Sequence, residues 1–158
     1  MDDANQDFLY RNTNRVDVAQ IMAEEYFTSK NIFWRTLGSD PKDDNPIPMD
    51  MFFKMPPFIQ KMPDMFAISP TQFVFVEVKG CKDSLKVKLS DWTQYIRWND
   101  IARFMFFVYS AANEKKFLFY LEDFHMMLDT STVGKYRDNN KVYWEIPIIE
   151  LEPYIILQ

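Results

Sequence analysis

An α/β sandwich with a mixed central β-sheet is predicted by three features of this sequence. These are a helical apolar repeat near the start, a strongly β-forming hairpin in the middle, and two buried strand runs after a second amphipathic helix. The 158 residues, 47% hydrophobic and 26% charged, suit a single domain spanning 1–158 with a core over about residues 16–120. Aromatic content is high at 17% and there are only three glycines, so the core is expected to be bulky, with turns built on Pro, Asn, Asp and Ser.

The elements follow in order. From Val16 to about Lys30, Val16, Ala19, Ala23, Tyr26 and Phe27 recur at helical spacing and predict the first helix. NIFWRTLG then reads as a short strand. Residues 38–63 hold six of the nine prolines together with Asp40, Asp43, Asp44 and Asp50, and are expected to form a long insertion without regular structure. Its Met- and Phe-rich part is too apolar for a free linker and is expected to pack on the domain or on a partner. DMFAI and FVFVEVKG, separated by SPTQ, predict a hairpin. Tyr95, Trp98 and Ala102 predict a helix over 91–102, N-capped by Ser90 or Asp91. ARFMFFVYSA and KKFLFYL predict two buried strands, EDFHMMLD a helical turn, and residues 141–158 one or two peripheral strands.

No apolar h-region opens the chain and no apolar run is long enough to span a bilayer, so a soluble cytoplasmic protein is expected, in the host cytoplasm if the source is viral. The lone Cys81 can form no internal disulfide, and with the lone His125 it makes a structural zinc site improbable; Cys81 reads as a small side chain beside Gly80, and His125 as partly buried. A net charge of −5 argues against non-specific coating of nucleic acid. Yet residues 79–103 carry six Lys or Arg against three Asp, a local excess of +3. Lys82, Lys86, Lys88 and Arg97 in that stretch are candidates for phosphate contacts, and a solvated surface is their alternative reading. Trp92, Tyr95 and Trp98 are expected in the core rather than as base-stacking platforms.

A four-residue loop at 69–72 pairs Ile68 with Phe73 and brings Asp64 opposite Glu77. Directly paired Cβ atoms lie roughly 4.5–5.5 Å apart, and strand alternation puts Lys79 on the same face, with Val74, Val76 and Val78 on the opposite, core-facing side. Two carboxylates this close repel unless a cation is shared, and a hard divalent ion such as Mg²⁺ answers that need, with the Val78 backbone carbonyl completing the protein ligands. Lys79 is then placed to orient the attacking water or offset transition-state charge. The bland alternative for Glu77 and Lys79 is a solvated strand face.

Pro63-Asp64, Glu77-Val78-Lys79, and Gln94 with Trp98 on the following helix together resemble the PD-(D/E)XK nuclease superfamily, over roughly residues 16–120. The resemblance implies a restriction-endonuclease-like core, Mg²⁺ (with Mn²⁺ as a substitute) held by Asp64 and Glu77, catalytic assistance from Lys79 and support from Gln94. Gln94 with Trp98 looks like a variant of a QxxxY motif with another aromatic at its end. Members often bring a first-helix Glu to the metal. Glu24 and Glu25 are the candidates here, although alignment on Tyr26-Phe27 places Gln20 nearer that position. Small stand-alone chains of this kind are similar to Holliday-junction resolvases and related phage or prokaryotic endonucleases. That implies branched DNA as substrate, a role in recombination or repair, and a homodimer, for which the apolar tail from Val142 to Leu157 and the Met-rich insertion are the expected surfaces. Two other readings stay open: a nuclease-like module that binds DNA or a partner without cutting, and a structural domain whose motif is accidental.

Overall fold

A computed structural model describes residues 18–37 and 47–157, apart from the Met49 side chain; Val16 and residues 38–46 lie outside them. Helix α1 is described over residues 18–29. Ala19, Ala23 and Phe27, spaced four apart, form its buried stripe, while Val18 and Ile21 on other faces are exposed. It ends where Asn31 takes a positive φ of 55° and the Ile32 N–H bonds back to the Phe27 carbonyl, and asparagine tolerates that conformation better than most residues.

Five strands form the main sheet: β1 (Phe33–Thr36), β2 (Met65–Ile68), β3 (Phe73–Cys81), β5 (Phe104–Ser110) and β6 (Lys115–Tyr120), in the order β1-β2-β3-β5-β6. All neighbours are antiparallel except β3 and β5, so the sheet is mixed as expected. β3 and β5 are near-continuous runs of Val, Phe and Met because they are covered on both faces. Val74, Val76 and Val78 meet Ala19, Ala23 and Phe27 of α1 in one core. Phe75, on the other face of β3, joins Trp92, Tyr95, Phe104, Phe106 and Phe124 in a second and larger core. The face carrying Glu77 is therefore packed rather than solvated.

The parallel β3–β5 pair requires a crossover, and the chain makes it through β4 (Ser84–Lys88) and helix α4 (Leu89–Asn99). The sequence did not predict β4 as a strand. It is short, and its Lys86 and Lys88 face outward while Leu85 and Val87 enter the larger core. β4 belongs to a second, antiparallel sheet of order β4-β8-β7, with β7 at Thr132–Lys135 and β8 at Val142–Pro147. Helix α5 (Leu121–Met127) follows β6, its start fixed by the Tyr120 N–H donating to the Asp123 carboxylate at 2.8 Å.

Two expectations are corrected. Helix α4 begins at Leu89, and neither Ser90 nor Asp91 caps it: Lys88 stands at the N-cap without a side-chain bond, and the Asp91 carboxylate is taken by Lys61. Within the proline-rich insertion, α2 (Met49–Phe52) and α3 (Pro57–Gln60) are helical, since Pro57 occupies a first-turn position where no amide hydrogen is needed. Of the one or two peripheral strands expected over residues 141–158 there is one, β8, followed by a 3-10 turn over Ile148–Tyr154. The insertion packs on the domain as expected: Phe58 stacks on Trp98 with ring centroids 4.3 Å apart.

Candidate active site

The hairpin register agrees with the expectation. Ile68 pairs with Phe73 and Met65 with Val76, which leaves Asp64 next in line toward Glu77, just before β2 begins. The Asp64 main chain is tied to the turn after β1 by the Leu37 N–H, and its Oδ2 accepts the Val78 N–H at 2.7 Å. That amide–carboxylate bond fixes the Asp64 side chain against the central strand.

Glu77 is 6% exposed, and a carboxylate so deeply placed must be compensated. Lys79 Nζ donates to its Oε1 at 2.6 Å, and so does the Tyr95 hydroxyl from α4, also at 2.6 Å. Burial alone would lower the Lys79 ammonium, but Glu77, Tyr95 and Asp64 outweigh it and hold Lys79 well above its ordinary range. Lys79 thus stands in the site as a cation. Burial first, and then the Glu77 charge, push the Tyr95 phenol well above its ordinary value, so it is fixed as a donor.

Asp64, Glu77, Val78 and Lys79 are thereby brought together. Gln94 is half-buried and accepts from Arg97 Nη1 at 3.2 Å; the helix side chain that reaches Glu77 is its neighbour, Tyr95. Sequence reasoning assigned Tyr95 to the core, which is right, but missed its hydroxyl; a buried tyrosine needs a hydrogen-bond partner, and a carboxylate on the facing strand was available. On α1, Gln20 donates to Glu24 at 3.0 Å and touches Met65, the neighbour of Asp64, through sulfur at 3.9 Å. Glu25 is exposed. Gln20 and Glu24 therefore lie on the flank of α1 nearer the site.

The donor set suits a hard cation. Both donors to Glu77 reach Oε1. Every solvent-sealed side-chain N or O among the described residues is hydrogen-bonded, so Oε2, which receives no such bond, reaches solvent. Among the described residues no group of three or more His, Cys, Asp or Glu assembles.

A second charged cluster adjoins the first, and the sequence offered no sign of it. Lys61, at the end of α3, pairs with the buried Asp91 at 2.9 Å. Burial alone would raise Asp91, but the Lys61 hydrogen bond and the charges of Lys79, Lys61 and Lys88 hold it below its ordinary value. Of the predicted phosphate contacts, Lys86 and Lys88 project from the outer side of β4, Lys82 is exposed at the β3–β4 turn, and Arg97 lies 4.6 Å over the Phe58 ring. His125 is exposed and stacks on Trp92, not partly buried as expected; Cys81 is half-buried. No helix among the described residues is long and apolar enough to cross a membrane.

Among solved structures, this chain is similar to a Holliday junction resolvase of the archaeal hyperthermophile Archaeoglobus fulgidus, with a TM-score of 0.56 and 10% identity over 89% of this chain and 90% of that one. It is also similar to a nuclease from a fusselovirus, with a TM-score of 0.47 and 9% identity over 85% of this chain and 80% of that one. No protein-family model matches the sequence, and no curated protein does. The likeness to the resolvase is one of fold, and the chain has a restriction-endonuclease-like core: a mixed central sheet flanked by helices.

Proposed function

We propose that this chain is a metal-dependent endonuclease that hydrolyses DNA phosphodiester bonds, is selective for Holliday junctions or other branched DNA, and acts as a homodimer. The observation that carries the reading is the contact of Lys79 with Glu77 at 2.6 Å beside an Asp64 carboxylate anchored on the Val78 amide, at the heart of a resolvase-like fold. Asp64 and Glu77, with the Val78 carbonyl and Glu24 or Glu25 as further candidates, are the residues to hold Mg²⁺ or Mn²⁺. Such an ion, when bound, supplies Lewis-acid polarisation of the phosphate and a more acidic water.

The chain's own groups do the rest. Lys79, held as a cation, offsets the negative charge that develops on the phosphate oxygens, and cannot accept a proton in that state. Tyr95 keeps Glu77 in one orientation from behind. Gln94, linked to Arg97 on α4, supports the site, and Arg97 contacts a substrate phosphate.

The test compares wild type with Lys79→Ala and Asp64→Asn on labelled four-way junction, flap, linear duplex and single-stranded DNA, in Mg²⁺, Mn²⁺ or EDTA. Metal-dependent cutting by wild type, lost in both variants and strongest on the junction, is the expected result. Cutting that survives Lys79→Ala at full rate refutes the assignment. Binding without cleavage in all three conditions would establish instead a nuclease-like module that binds without cutting.

A further inference from the structure

The second sheet turns a patterned face outward. Strand β4 alternates, sending Leu85 and Val87 into the larger core and Lys86 and Lys88 to the other side. In the register of the sheet Lys88 lies opposite Tyr143, and Tyr143 opposite Gly134. The Tyr143 ring occupies the space over Gly134: a Cβ there would stand 2.6 Å from the ring, so only glycine leaves room for it. Tyr136 packs against Tyr143 at 4.5 Å between centroids. Each tyrosine carries a lysine, Lys86 Nζ being 4.9 Å over the Tyr143 ring and Lys88 Nζ 5.5 Å over Tyr136. The result is a ladder of alternating ammonium groups and aromatic rings.

The ladder is only partly balanced by acid, since Lys61 nearby is already taken by Asp91. Lys86 has Glu145 at 3.8 Å, but Lys88 makes no ion pair among the described residues. Toward the Glu77–Lys79 centre the cations converge. Burial and the charges of Lys61, Lys141 and Lys79 lower the Lys88 ammonium against the pull of Asp91, which places three lysines from other chain segments within electrostatic reach of Lys88. Folding has concentrated like charge here, although the chain as a whole is −5. Such an arrangement is costly alone and favourable once an anion is shared between the cations.

We infer that this outer face, from Lys86 through Tyr143 to Lys88, is a phosphodiester track that holds the nucleic-acid backbone beside the Glu77–Lys79 centre. The inference rests on the nuclease reading for its direction and for the substrate's class, and it adds the surface that the substrate occupies. The lysines take successive phosphates, and the tyrosines keep the ammonium groups in place and offer ring faces to sugars or unpaired bases. The track takes internal phosphodiesters rather than a terminal phosphate, because it runs across a sheet face instead of closing around a single point.

The test is the salt dependence of DNA binding, measured in EDTA so that no strand is cut, on closed-circular and on linear duplex DNA. Each lost phosphate contact reduces the slope of log K against log salt by about 0.9. The Lys86→Gln/Lys88→Gln double variant is expected to lose between about one and two units of slope, Lys88→Arg to retain the wild-type slope, and Lys116→Gln, on the opposite face of the main sheet, to change nothing. Equal losses on circle and linear DNA identify internal phosphodiesters; a loss on linear DNA alone overturns that part of the inference. An unchanged slope in the folded double variant, verified by thermal melting, overturns the track and leaves the nuclease reading intact. A slope that falls as expected in the double variant, together with a wild type that cuts nothing with Mg²⁺ or Mn²⁺, sinks the nuclease reading and leaves the track. Failure of wild type to bind either DNA overturns the track and leaves the nuclease reading to its own cleavage test on branched DNA.

Discussion

Replacing Tyr95 by Phe removes one atom from the site, and its consequences follow from the contacts around it. The ring lies 4.9 Å from Phe104 and 5.5 Å from Phe106, centroid to centroid, and Phe preserves those contacts, so little packing is lost. What disappears is the hydroxyl that donates to Glu77 at 2.6 Å, in a place where both residues are buried. A hydrogen bond to a charged group is worth about 1.5–3 kcal/mol, and Glu77 would retain only Lys79 on that oxygen. For a domain of this size each kcal/mol moves the melting midpoint by about 2–4 °C. Urea denaturation followed by tryptophan fluorescence should therefore show Tyr95→Phe destabilised by that amount with an unchanged m-value. If Glu77 also holds a cation, its looser orientation should weaken Mg²⁺ activation by about 10–100-fold. The cycle completed with Lys79→Met should give a coupling of about 0.5–3 kcal/mol, since both donors share one acceptor atom. A stability change under about 0.5 kcal/mol together with an unaltered Mg²⁺ requirement would refute the claim that Tyr95 fixes Glu77, because that is the size of an ordinary surface substitution.

Two further outcomes are expected. Asp91 is held below its ordinary value of 3.8 in the folded chain, so its stabilising contribution is complete above that pH and is lost as pH falls through the folded value. Wild type should accordingly lose more stability than Asp91→Asn in acid melts over that window, and parallel acid limbs would exclude the Lys61–Asp91 pair as a stabilising contact. Burial, offset in part by a hydrogen bond with Ser110 and reinforced by Asp83, raises the Cys81 thiol to about 11, so iodoacetamide should label it slowly at pH 8 in the folded chain and rapidly in urea; equal rates would contradict that environment.

The parts of the molecule written in local pattern were legible. The four apart spacing of Ala19, Ala23 and Phe27 marked α1, and the alternation in FVFVEVKG with a four-residue loop fixed the hairpin register and hence the approach of Asp64 to Glu77 and Lys79. The second sheet was not legible, because β4 and β7 are short and carry lysine and glycine, and β4 acquires its identity from pairing with β8 far along the chain. The Tyr95 hydroxyl contact and the Asp91 ion pair were missed for a related reason. Helical spacing tells which side of α4 is buried, but whether a buried phenol or carboxylate meets a partner depends on β3 and on Lys61, which reach it from elsewhere in the sequence. Likewise Ser90 and Asp91 have the chemistry of helix caps, yet a lysine across the insertion competes successfully for the carboxylate.

The parallel union of β3 with β5 bears on how the chain assembles in time. Glu77 pairs with Phe106, and the larger core that seals Glu77 from one side takes Phe117, Phe119 and Phe124 from still later residues. The hairpin that carries Asp64, Glu77 and Lys79 is a local structure able to form early, whereas the parallel pairing must wait for a long crossover to be closed. During synthesis the two acids would therefore be displayed on an unsupported hairpin until the C-terminal half emerged. The charged centre becomes rigid, and so competent, only at the last stage of folding.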